Sequence, residues 1–169
     1  MEALLAVPLF SMLVGAVCTD IRSHRIPNLF LLLGVAASAA GQMGLNGLDG
    51  MITWAGGLVV GFLCFWPLYI FAGMAAGDVK LIAVVGSYLG ATDAFWAAML
   101  SLIAGGVLGV LILLYKKQLF RFVRRYWVMA SLGTYIQPGA DDAARQRFPY
   151  ALAILLGTVA SLYWQPISL

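Results

Sequence analysis

Charge is scarce in this chain. Ten Lys and Arg and seven Asp and Glu make up 10% of 169 residues, where a soluble domain carries about a quarter. Histidine is nearly absent, with His24 alone between Ser23 and Arg25. A lone histidine without a second ligand pattern offers no metal site, and a solvated loop position explains it. The two cysteines, Cys18 and Cys64, stand far apart inside apolar runs. No CxxC pair exists, which argues against structural zinc; both read as small membrane-buried residues. No Walker loop, Rossmann fingerprint or GxSxG elbow occurs, so no metal, nucleotide or other cofactor is expected. Only Met1 and Glu2 precede the first apolar run. A secretory signal peptide needs a basic n-region, so that run is expected to be a retained span.

Apolar residues are present in excess. Hydrophobic side chains make up 63% of the chain, the mean hydropathy is +0.95, and the excess lies in long runs. That composition predicts an all-α polytopic membrane protein, a single transmembrane domain over residues 1–169. Six spans are expected, at 3–19, 29–44, 51–72, 79–91, 94–115 and 148–164. Every Lys and Arg falls in or beside the first, third and fifth connections. The positive-inside rule then places those connections in the cytosol and both termini outside. Asp20 and Asp78 are 58 positions apart, yet this topology brings both to the cytosolic side.

The fourth run is short. Its 13 residues reach about 20 Å, against roughly 30 Å for the hydrocarbon core. Asp78 is therefore expected to be recessed below the cytosolic edge. The fifth connection opens with KKQLFRFVRRYWVMASLG. Leu119, Phe120, Val123, Tyr126 and Trp127 can share one helical face, with the basic residues crowded on the other. This pattern predicts an amphipathic cytosolic helix on anionic inner-leaflet lipids, although a simple positive topology anchor would also account for the charges. A nucleic-acid partner is not expected, because the cluster abuts a span and no binding motif accompanies it. QPGADDAARQRFP, which follows, reads as a mobile loop. Glycines at 56, 57, 61, 105, 106 and 109 suit close helix packing in spans three and five.

Few ionisable groups remain as chemistry candidates. Asp49 and Asp93 suit short outer turns, and Asp141 and Asp142 suit a solvated loop. Asp20 opens a stiff elbow: Pro27 holds Ile26 extended, and either Asn28 caps the second span or Pro27 is its first residue. Asp78 sits where an N-cap belongs, beside Gly77, which permits close approach or a positive φ. Taken singly, a plain cap explains Asp78, and an interface charge paired with Arg22 explains Asp20. Taken together, two carboxylates at one depth suggest an aspartyl dyad sharing one water and one proton. Asp78 at a helix N-terminus would suit the anion and Asp20 at a helix C-terminus the acid. Lys80 falls on another face from Asp78 and can snorkel to phosphates.

Three stretches resemble the prepilin (type IV leader) peptidase family of GxGD aspartyl proteases. They are CTDIRSHRIPN at 18–28, GMAAGDVKLIAVVGSYLG at 73–90 and RFPYALAILLG at 147–157. The resemblance implies that Asp20 and Asp78 are catalytic, and that Gly77, Pro27, Asn28, Lys80, Pro149 and Tyr150 shape the site. It implies cleavage of pilin and pseudopilin precursors between a basic leader and an apolar helix, at the bacterial inner membrane. Ala75 replaces the outer motif glycine, so position 75 is expected not to need a positive φ. Ala151 replaces the glycine after Pro-Tyr. The cysteine-bearing cytosolic domain of bifunctional relatives is absent, so no N-methyltransferase activity is expected. The compact form is similar to Tad/Flp-type enzymes and less so to archaeal preflagellin peptidases. A proton-coupled transporter or channel subunit, or an inactive assembly scaffold, are the readings from other classes.

Overall fold

A computed structural model describes residues 3–71, 74–132 and 149–163. Their regular structure is all helical: α1 (Ala3–Ser23), α2 (Asn28–Ile70), α3 (Ala76–Leu89), α4 (Ala91–Tyr115), α5 (Leu119–Leu132) and α6 (Tyr150–Tyr163). Three of these, α1, α2 and α4, are long and apolar enough to cross a membrane, and α6 is a shorter apolar helix. The chain is thus an all-α membrane protein. It divides into one compact unit of Met1–Ala104 with Pro149–Leu169 and a second of Gly105–Phe148.

In the first unit, α2 has 43 residues. A straight helix of that length would run about 65 Å, twice the hydrocarbon core. It does not run straight. Gly47 has φ 58° and ψ −132°, a backbone open to glycine and costly for a residue with a Cβ. The indole N–H of Trp54 donates to Ser38 Oγ at 3.0 Å, though 16 residues of unbroken helix would separate them by about 24 Å. The two arms, 28–46 and 48–70, therefore fold back as a hairpin. The break falls inside the expected connection at 45–50. Asp49 lies in the second arm, just past it, rather than in a turn.

The hairpin holds α3. Gly57 and Gly86 face each other backbone to backbone, and a Cβ at Gly61 would stand 2.5 Å from the Ile82 carbonyl oxygen. Such approach brings two helices within range of dispersion contact along their length. Every residue from Asp78 to Tyr88 is buried except Lys80. With 14 residues, α3 is only about 21 Å long. A short helix enclosed by neighbours need not match the bilayer, because protein rather than lipid surrounds it. The core around it is Leu9 and Leu13 from α1, Leu81, Ile82 and Val85 from α3, and Ile154 from α6, all fully buried.

The second unit contains the end of α4, a break at Lys117 (φ 54°), and α5. Phe120, Val123 and Trp127 are exposed on α5, on the apolar face expected from the sequence. A Cβ added at Gly106 or Gly109 would meet nothing within 4 Å beyond its own stretch of helix. The close packing expected of the span-five glycines is therefore not found at these two, whereas Gly105 is buried. The expected loop at 137–149 lies, up to residue 148, outside the described residues.

Candidate active site

Helix α1 carries a buried stripe through Leu5, Leu9, Leu13, Ala16 and Val17. Asp20 is its next member at helical spacing, and residues 21–25 beyond it are exposed. The carboxylate thus occupies a core position at the end of an apolar face. It is 7% exposed, and its Oδ2 accepts the backbone N–H of Ala151 at 3.1 Å. Ala151 is the second residue of α6, one of the N-terminal positions whose N–H has no partner within its own helix. Asp20 therefore caps a helix that begins 130 residues later. This bond replaces the expected surface pairing with Arg22, which is exposed.

The start of α6 is fastened independently. Tyr150 donates its hydroxyl to the Ser101 carbonyl at 3.2 Å and meets Phe65 edge-on at 5.8 Å between centroids. Pro149 precedes the helix and accepts from Leu152 N–H. Sequence reasoning selected Pro149 and Tyr150 by resemblance but missed Ser101 and Phe65. A lone serine inside the apolar run AMLSLIAG was the available signal.

Asp78 is also 7% exposed. It is not the N-cap of its helix. Ala75, at φ −79° and ψ 147°, holds that position, and Asp78 is the third helical residue. Its carboxylate lies near the backbone of Ala75, the place that the acidic residue of a capping box takes. The helix begins earlier than expected because Ala76 and Gly77 are already helical. Gly77 accordingly has no positive φ, and a Cβ there would meet only the Ile26 side chain, at 3.7 Å. Neither role expected of Gly77, a positive φ or close backbone approach, is found. The extended backbone of Ala75 is open to any residue, as expected for that substitution.

The two aspartates lie within electrostatic reach of each other, and the Tyr150 phenol lies within reach of Asp78. Asp20 accepts one backbone N–H among the described residues, and both carboxylates have lone-pair sites for further donors. The expected division of roles by helix dipole loses its basis. Asp20 stands at the C-terminal end of α1 and also at the N-terminal end of α6, and those two dipoles act on it in opposite senses.

The elbow departs from both cap readings. Pro27, extended at φ −61° and ψ 131°, is itself the cap residue, and Asn28 is the first residue of α2. The Asn28 side chain instead accepts a hydrogen bond from Lys80 Nζ at 3.0 Å, tying the elbow to α3. His24, with φ 49°, ends α1 in the left-handed conformation common after a helix C-terminus. Its side chain is exposed.

The fold and site define a membrane protein with two buried, mutually interacting aspartates held at helix ends. The chain belongs to the type IV leader peptidase family, whose model matches residues 7–114. It is by that membership a peptidase. The matched segment contains Asp20 and Asp78 and stops short of Pro149 and Tyr150. No curated protein and no solved structure matches the chain.

Proposed function

We infer that Asp20 and Asp78 form the catalytic dyad of a prepilin peptidase. The observation that carries this reading is the burial of both carboxylates within reach of each other. Two such groups can hold one proton and one water between them. The ionised carboxylate takes a proton from the water as it attacks the scissile carbonyl. The protonated one hydrogen-bonds the carbonyl oxygen, and the pair returns a proton to the leaving amine as the tetrahedral diol collapses. The Ala151 N–H steadies Asp20, which supports a site held in place before substrate arrives.

The substrate class follows from family and charge. The six-span, N-out and C-out topology derived from the basic connections puts the dyad on the cytosolic side of the inner membrane. A precursor with a basic leader and an apolar helix, of Flp or type IV pilin and pseudopilin kind, would present its junction there. The exposed apolar face of α5 with its arginines fits an anchor on anionic inner-leaflet lipids. N-methylation is not part of the proposed activity. The transporter reading expects acidic groups at several depths; among the described buried polar residues, the carboxylates are Asp20 and Asp78 alone.

The test is cleavage of a Flp-type prepilin by the detergent-purified chain, followed by mass spectrometry of the product. One cut at the leader boundary is expected from the native chain. Undiminished cutting by both Asp20→Asn and Asp78→Asn would overturn the dyad.

A further inference from the structure

Helix α3 has a second functional face. Lys80 is two residues beyond Asp78, about 200° round the helix, and it is the one exposed residue in the buried run from Asp78 to Tyr88. It stands at the end of a groove of about 390 Å³ between both arms of α2 and α3, walled by Leu32, Val35, Leu58 and Phe62. Among the described residues, Asn28 and Lys80 supply the only polar side chains of its lining, and none of the lining is acidic. One ammonium proton of Lys80 goes to Asn28 Oδ1 at 3.0 Å. The other two remain available, as does the Asn28 amide NH₂, which donates nothing among the described residues. The backbone N–H groups of Asn28 and Leu29 open α2, where Pro27 provides no side-chain cap, and such N–H groups point at anions.

An apolar trough ending in a cluster of donors matches a molecule with a hydrocarbon tail and an anionic head. We propose that this groove binds a bilayer phospholipid, with an acyl chain along Leu58 and Phe62 and the phosphodiester on Lys80 and Asn28. With a lysine and no carboxylate among the described lining residues, a net anionic headgroup is preferred over a zwitterionic one. A substrate helix is the poorer occupant, because its scissile bond must reach Asp78 on the opposite face of α3. The groove is lined by α2 and α3 without α5, and the proposal does not depend on the peptidase mechanism.

The experiment is native mass spectrometry of the full detergent-purified chain titrated with dioleoyl phosphatidylglycerol or dioleoyl phosphatidylcholine. The first adduct is expected at about fivefold lower phosphatidylglycerol concentration, the worth of one interfacial lysine. Lys80→Gln keeps a donor for Asn28 and removes the charge, so it should erase that preference. Leu58→Trp should fill the groove and weaken the first adduct of both lipids. Arg22→Gln removes an exposed charge at the end of α1 that does not line the groove, and should leave the preference intact. Equal affinity for the two lipids, or a preference lost with Arg22→Gln and kept with Lys80→Gln, would overturn the proposal. So would first-adduct binding of a prepilin peptide that is lost in Leu58→Trp while phosphatidylglycerol binding is not.

Discussion

The two ends of α3 bury polar groups for different ends. Near its C-terminus, Ser87 and Ser38 hydroxyls share a 2.7 Å hydrogen bond, Trp54 donates to Ser38, and Gln42 donates to the Tyr88 carbonyl at 3.0 Å. These groups are neutral and satisfy one another, so they fix how the α2 hairpin grips α3. Near its N-terminus, Asp78 and Asp20 repel each other and keep lone-pair sites open. Burying two carboxylates in this way works against stability. A saturated neutral network suits the fold, and an unsaturated pair of carboxylates is what the proposed chemistry needs.

That contrast can be broken from either end. The largest effect is expected at the aspartates. Asp20→Asn or Asp78→Asn should lower prepilin cleavage by about 10²–10⁴-fold, the usual worth of acid–base catalysis, while leaving circular dichroism unchanged. Next comes the hairpin grip. Gly57→Leu drives a side chain into the Gly86 backbone and should cost about 3 kcal/mol or more in detergent unfolding. A smaller effect lies between the two ends. Tyr150→Phe removes the bond to Ser101 and should cost about 1 kcal/mol, with some loss of kcat because the start of α6 carries the Ala151 N–H that holds Asp20. Ser87→Ala should also cost about 1 kcal/mol and leave cleavage per folded molecule unchanged, since it touches only the neutral end. The smallest expected change is a gain. Gly77 is helical with room for a Cβ, so Gly77→Ala should stabilise by about 0.5–1 kcal/mol. Any fall in activity there would then report contact with substrate rather than damage to the fold.

Much of this architecture was legible in the sequence because bilayer physics leaves coarse marks. Long apolar runs gave the helices, the 45–50 connection contained the Gly47 break, and the shortness of the run after Asp78 reappears in α3. The helix start at Asp78 differs from the sequence expectation by three residues. Ala75 and Ala76 are compatible with either side of a helix boundary, and only the backbone decides between a cap and a first-turn residue. The partners of Asp20 were not legible at all. The Ala151 N–H lies 131 positions away, and a backbone donor leaves no residue-type signature. The serine pair at 38 and 87 was hidden for the same reason: nothing local in either apolar run points to the other.

The central claim is that Asp20 and Asp78 act as one unit across α1, α3 and α6. The most direct measurement is kcat/KM for prepilin cleavage by Asp20→Asn, Asp78→Asn and the double variant. If the aspartates share one water, the double variant falls no further than either single one, because removing one member already disables the pair. A double variant whose loss equals the product of the two single losses would show that the aspartates act separately, and would contradict the dyad.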